Sequence, residues 1–291
     1  MREYGISARL TFSNSQLEPV HLADKKCNAL CALFSENDRV QNGVIIHSDL
    51  LLDYLKSHYP DLYFVSSTTK VLTDFADFLN EVKNDVFLYV VPDFRLNKAF
   101  DRLNTLPDLQ KNKVEFLCNE CCFFGCMDRK RCYEAVSLNN LGKDCPDHRC
   151  NAPDAKTGYR FSKAMTNPGF IGIDDIQNIY LPMGFSNFKI EGRGLGSALI
   201  LEFLLYYMTK PEYQIHVREA VYLDNMLDLF TCGIVYMPHL YPRCYLTPAY
   251  LTFSVFCVPA PVTGAHAAFR RPHRPYALKF SLHNTAHHRY V

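Results

Sequence analysis

Between Tyr4 and Leu229, short apolar runs rich in β-branched and aromatic residues alternate with longer amphipathic segments. Seven runs read as strands: ISARLTF (6–12), GVIIH (43–47), LYFVS (62–66), VFLYVV (86–91), KVEFLC (113–118), GFIGI (169–173) and NFKI (187–190). Helices are expected over HLADKKCNALCALF, SDLLLDYLKSHY, VLTDFADFLNEV, LNKAFDRLNTL and GSALILEFLLYYMT. In the third of these, Val71, Leu72, Phe75, Phe78, Leu79 and Val82 recur at helical spacing. Asp49, after Ser48, suits the start of its helix by capping or through the helix dipole. Strands apolar on both faces need cover on both sides, which demands a parallel sheet under helices. A barrel of TIM type and an open doubly wound sheet both satisfy that demand.

Polar residues close nearly every strand candidate: Ser13-Asn14, His47-Ser48, Ser67 to Thr69, Asp93, Asn119-Glu120, Asp174-Asp175 and Glu191 to Arg193. In a closed β/α barrel these ends converge on one mouth, where chemistry is built. Helix capping and ordinary loop polarity explain many of them equally well. The chain contains neither G-x-G-x-x-G after its first strand nor G-x-x-x-x-G-K-[ST]. GRGLGSA follows a strand and opens a helix, where Gly194 and Gly196 serve either a phosphate or a tight turn.

At 291 residues, 48% hydrophobic and 21% charged, the chain has ample material for a core. Its net charge of +1 offers no global attraction to nucleic acid or an anionic membrane. MREYGISARL is charged and strand-like rather than a leader, so a reducing cytoplasm is expected. Residues 1–229 therefore read as one α/β unit. From Thr231 to Val291 there is no Asp or Glu, although the chain holds 30 in total. That segment, 230–291, reads as a weakly ordered or non-native tail, with a partner-binding or membrane-facing role as the alternative. The prolines of YLTPAYLTFSVFCVPAPV argue against a spanning helix. His283, His287 and His288 in the tail could chelate a metal or simply be solvated.

Twelve cysteines are unevenly spread, and seven fall between Cys118 and Cys150. The run CNECCFFGCMDRKRC follows a strand, precedes the helical piece YEAVSLNNL, and is succeeded by CPDHRC. In a reducing compartment, clustered thiols serve metal binding, redox chemistry or packing. Cys122-x3-Cys126 and Cys145-x4-Cys150 form two close pairs, a reasonable four-ligand set for iron–sulfur or zinc. Cys121 and Cys132 are spares, and Cys118 ends a strand. Arg129, Lys130, Arg131, Lys143 and Arg149 flank the pairs, where they lower thiol pKa values or lie in solvent.

GFSNFKIEGRGLG (184–196) packs Lys189, Glu191 and Arg193 around a strand end. Their shared parity turns them to one side. They form either a substrate-facing charged set or a surface ion pair of little worth. No Ser-His-Asp or Cys-His set stands out, and His58 and His148 read as surface histidines.

FKIEGR (188–193), with Asn119-Glu120 and the cysteine run behind a strand, resembles the peptidase U32 family, also called the collagenase-like protease family. The resemblance spans roughly residues 4–229 and takes in SSTTK (66–70) and VVPDFRLN (90–97), as in an uncharacterised subgroup. It implies a bacterial, cytoplasmic (β/α) barrel of TIM type. The family opens with more chain, so this barrel is expected to be incomplete at its N-terminus. Members carry a protease label, yet several act in RNA hydroxylation or oxygen-independent ubiquinone hydroxylation. Those members hold a four-iron four-sulfur cluster with four cysteines. Carried across, Cys122 and Cys126 match the cysteines after the strand, and Cys145 and Cys150 match more loosely.

Three readings follow. In the leading one, Cys122, Cys126, Cys145 and Cys150 hold an iron–sulfur cluster in a hydroxylation or RNA-modification enzyme. Glu120, Lys189, Glu191 and Arg193 would be its catalytic side chains, with Asn119, Asp93 and Ser67 binding substrate: RNA, peptide or small molecule. The second is a peptidase using Glu120 and Glu191. The third is a non-catalytic remnant that binds zinc.

Overall fold

The computed structural model describes residues 4–36, 40–145, 148–150, 152–153, 155–157, 159–192 and 197–220. Arg193 and the segment 230–291 lie outside them, as does the boundary expected at residue 230. Strands and helices alternate as β1 (Arg9–Phe12), α1 (Lys25–Ser35), β2 (Gly43–Ile46), α2 (Asp49–His58), β3 (Tyr63–Ser66), α3 (Phe75–Lys83) and β4 (Phe87–Val90). Short helices α4 (Phe100–Leu103) and α5 (Asp108–Lys111) then lead to β5 (Glu115–Leu117). Beyond it come α6 (Arg129–Asn140), α7 (Phe161–Met165), α8 (Ile173–Asp175), β6 (Asn187–Lys189) and α9 (Ser197–Met208).

Every strand pair is parallel. The first four strands form one sheet in sequential order, and β5 pairs with β6 in a second. A single parallel bridge, Val90 to Val114, joins the two. The expected parallel α/β architecture is present. Among the described residues no pairing of β6 with β1 closes it into a barrel.

Local chemistry sets the helix starts. Ser48 accepts a hydrogen bond from the Leu51 amide and caps α2, leaving Asp49 in the first turn. Asp74 accepts from the Ala76 and Asp77 amides and caps α3. The buried residues of α3 are Phe78 and Val82, one helical turn apart. Val71 lies before the helix, in the left-handed region at φ 53°.

GFIGI is a correction: it is not a strand. Gly169 passes so close to Phe94 that a Cβ there would lie 2.6 Å from the Phe94 carbonyl oxygen. Gly172 already caps α8. One amide, that of Ile171, donates to the Cys118 carbonyl at 3.0 Å, so the segment touches the sheet edge at a point and turns away.

The main core lies between the sheet and its helices, where Phe116, Tyr180, Phe185 and Phe188 meet ring to ring. A smaller core fills the opposite face: Ile45, Tyr63, Val65, Tyr89, Val91 and Leu117. On that face Arg9 of β1 reaches Glu115 of β5 at 2.5 Å. In a flat sheet, strands four places apart would stand roughly 19 Å from each other. The contact therefore requires a strongly curled sheet. Its concave face is closed by this ion pair, with the Arg9 guanidinium over the Tyr89 ring at 4.6 Å.

Candidate active site at the carboxyl ends of β5 and β6

The two neighbouring strands β5 and β6 run into Asn119-Glu120 and Glu191. Asn119 is fully buried and clamps the second strand end to the first. Its Oδ1 accepts from the Glu191 amide at 2.8 Å, and its Nδ2 donates to the Glu191 carbonyl at 3.1 Å. The same Nδ2 donates to the Tyr159 hydroxyl, which donates back to the Asn119 carbonyl. Asn119, a substrate-binding candidate from the sequence, thus holds the two strand ends together.

The clamp brings Glu120, Cys121 and Glu191 together, with one carboxylate or thiol atom of each within 4.8 Å of the others. Among the described residues this is the one set of three or more such groups so close. The two carboxyls are unequal. Glu120 Oε2 accepts from Arg129 Nη2 at 2.5 Å, and its Oε1 accepts from the Cys122 amide at 2.8 Å. Burial pushes the Glu191 carboxyl well above the ordinary carboxylate range, and the adjacent Glu120 charge pushes it further. Arg129 and Lys189 pull the other way without offsetting this. The result is two adjacent carboxyl groups, of which Glu191 holds its proton more firmly than an ordinary carboxyl does. Burial also pushes the Cys121 thiol up to about 12, with Glu191 and Glu120 adding to it.

Lys189 is buried on β6 beneath this pair, 4% exposed. Asp93 is fully buried and belongs to the supporting layer. Its Oδ1 accepts from Arg95 Nε at 2.6 Å, and its Oδ2 stands 3.5 Å from Arg129 Nε. Arg129 thus bridges Asp93 and Glu120, and also donates to the Tyr133 hydroxyl at 2.8 Å. Its burial, at 3% exposed, corrects the view of a merely flanking charge; Lys130 and Arg131 are exposed as such a charge would be. Ser67 sits apart, at the end of β3, in a hydroxyl chain described below.

The cysteine loop begins at the same place. The nine described cysteines are all free thiols. Burial pushes the Cys122 thiol up to about 12, opposed by the Arg129 guanidinium, with Glu120 and Cys126 reinforcing the rise. Cys132 lies within electrostatic reach of Cys126 and Cys150, and burial raises its pKa. Its Sγ stands 2.8 Å from His148 Nε2. So Cys132, taken from sequence as a spare, and His148, taken as a surface residue, belong with the thiols. Cys145 is half-buried and Cys150 exposed.

Cys122, Cys126, Cys145 and Cys150 do not form a tight set, because no three of them bring their sulfurs within 4.8 Å of one another. A tetrahedral zinc ion holds its sulfurs roughly 3.8 Å apart. A cubane cluster spreads its thiolates more widely, over several iron atoms. Soft sulfur donors of this kind suit zinc and iron–sulfur chemistry alike. No protein-family model, curated protein or solved structure matches this chain.

Proposed function

We propose that this chain is a U32-like cytoplasmic enzyme, folded as an incomplete TIM-type barrel. Glu120 and Glu191 would perform acid–base chemistry beside an iron–sulfur cluster held by Cys122, Cys126, Cys145 and Cys150. The reaction is of the hydroxylation or RNA-modification type that the family resemblance brings in. The observation that carries the reading is the unequal carboxyl pair, clamped by Asn119 across two strand ends. Glu191 gives its proton to a substrate oxygen or nitrogen, and Glu120, held in place by Arg129, receives one. Lys189 supplies the positive charge that favours a polar or anionic substrate near Glu191. Arg193 extends that charge in sequence. When bound, the cluster would relay, one at a time, the electrons that hydroxylation removes from the substrate.

Anaerobic reconstitution with iron and sulfide tests the cluster through visible absorption and the iron and sulfide content per chain. Cys122→Ser and Cys126→Ser should each lower both. A chain that takes up only zinc, or nothing, removes the cluster and leaves the zinc reading or none. Glu120→Gln and Glu191→Gln should keep the absorption and lower turnover on the order of 100-fold or more.

The peptidase reading draws on the same observation, since two carboxyls sharing a proton can activate water against an amide. It predicts cleavage of denatured collagen that is lost in both Gln variants. Cleavage unchanged in the two variants would remove these residues from proteolysis.

A further inference from the structure

A cavity of about 450 Å³ opens beside the carboxyl end of β1, walled on one side by Tyr133, Val136, Ser137 and Asn140 of α6. Phe12, Leu17, Leu51, Leu55 and Val136 give it apolar walls. None of its lining residues is Asp, Glu, Lys or Arg. Its volume lies within the range of about 300–1,000 Å³ typical of small-molecule sites. A charged ligand entering it would lose water and gain no counter-charge.

One wall carries a chain of hydroxyl groups. His47 Nδ1 lies 2.8 Å from Thr69 Oγ1. Thr69 donates to Ser67 Oγ at 3.0 Å, and Ser67 donates to Ser13 Oγ at 2.9 Å. Each hydroxyl has one proton to give. The Thr69 hydroxyl also lies 3.4 Å from the Ser13 carbonyl oxygen, and the His47 tautomer decides which way its own bond to Thr69 runs. Burial lowers the His47 pKa, and Lys70 and Lys130 lower it further, which favours the neutral ring. The hydroxyls of Thr69, Ser67 and Ser13 thus form one hydrogen-bonded cluster. The chain ends at Ser13, which lines the cavity and keeps its own proton to donate.

We propose that this cavity binds a neutral, largely apolar small molecule through a carbonyl or ether oxygen that accepts a hydrogen bond from Ser13. The site is independent of the acid–base reading and stands or falls separately.

The test is a fluorescence titration of the full chain with 6-propionyl-2-(dimethylamino)naphthalene, a neutral aromatic ketone whose emission moves to the blue in apolar surroundings. A saturable blue shift with one site per chain is expected. Ser13→Ala should weaken binding about threefold to tenfold, the worth of one hydrogen bond. Val136, 45% exposed at the cavity, can be enlarged without straining the core. Val136→Trp should weaken binding about tenfold or more by filling the space. Cys27 lines the cavity and is exposed, so the bound ketone should slow its alkylation by iodoacetamide. No saturable blue shift overturns the proposal. So does a shift whose affinity is the same in both variants, because the probe then sits elsewhere. Should Val136→Trp fail to fold by its melting curve, Ser13→Ala and the Cys27 protection decide.

Discussion

Arg9 on β1 and Glu115 on β5 meet at 2.5 Å inside the curled sheet, with no more than 2% of either side chain exposed. Burial alone would lower the Arg9 pKa, but Glu115 and Tyr63 more than reverse this, so the guanidinium stays charged. Removing one member of such a pair takes the nearest counter-charge from the other while it stays buried. Arg9→Met should therefore cost about 3–5 kcal/mol, read by chemical denaturation. Adding Glu115→Leu to it should recover much of that loss, because the buried carboxylate goes too. A double variant as unstable as the single one would mean that the pair itself, and not the remaining carboxylate, sets the curl.

Glu191 should make stability depend on pH. Its carboxyl is raised in the folded chain above the ordinary value of 4.5. The folded state therefore holds its proton more tightly than the unfolded state. That contribution is complete below the ordinary value and is lost as pH rises through the raised one. Glu191→Gln, always neutral, should flatten the decline of melting temperature with pH above 4.5. A decline of equal slope in the variant assigns the effect to another group.

Asn119 fastens one strand end to the next by two side-chain hydrogen bonds to Glu191, and a third goes to the Tyr159 hydroxyl. Asn119→Ala strands the Glu191 amide and carbonyl in a buried place and should cost about 2–3 kcal/mol. Asn119→Asp keeps the acceptor but loses the donor, and should fall between the two. Equilibrium unfolding of the three chains checks the order.

Thiol reactivity should follow burial. Cys27 and Cys150 are exposed and should react first with a disulfide reagent. Cys118 is buried and its pKa is raised by that burial, so it should react last, on the time scale of unfolding. Mass spectrometry of partly labelled chain gives the sequence of events.

The fold was legible where periodicity and capping agree. Strand runs at 43–47, 62–66 and 86–91 became β2, β3 and β4 with only their ends trimmed. Asn119, Glu120, Lys189 and Glu191 were legible because they end two apolar runs. GFIGI misled because its composition suits a strand, while a close approach of Gly169 to Phe94 decides its course. Arg129 was hidden in a basic run that reads as solvated; its burial depends on Asp93 and Glu120, which the fold brings to it. Cys132 and His148 lack any familiar spacing, and only folding sets them 2.8 Å apart. The cavity could not be read at all, being assembled from β1, α1, α2 and α6.

Helix α6 has a further consequence. Tyr133 forms part of the cavity wall, and its hydroxyl accepts from the guanidinium that grips Glu120. Anything that pushes this ring aside must first break its bond to Arg129, and so loosens the hold of that guanidinium on Glu120. The phenol is a mechanical lever with its long arm in one chamber and its short arm at the carboxyls.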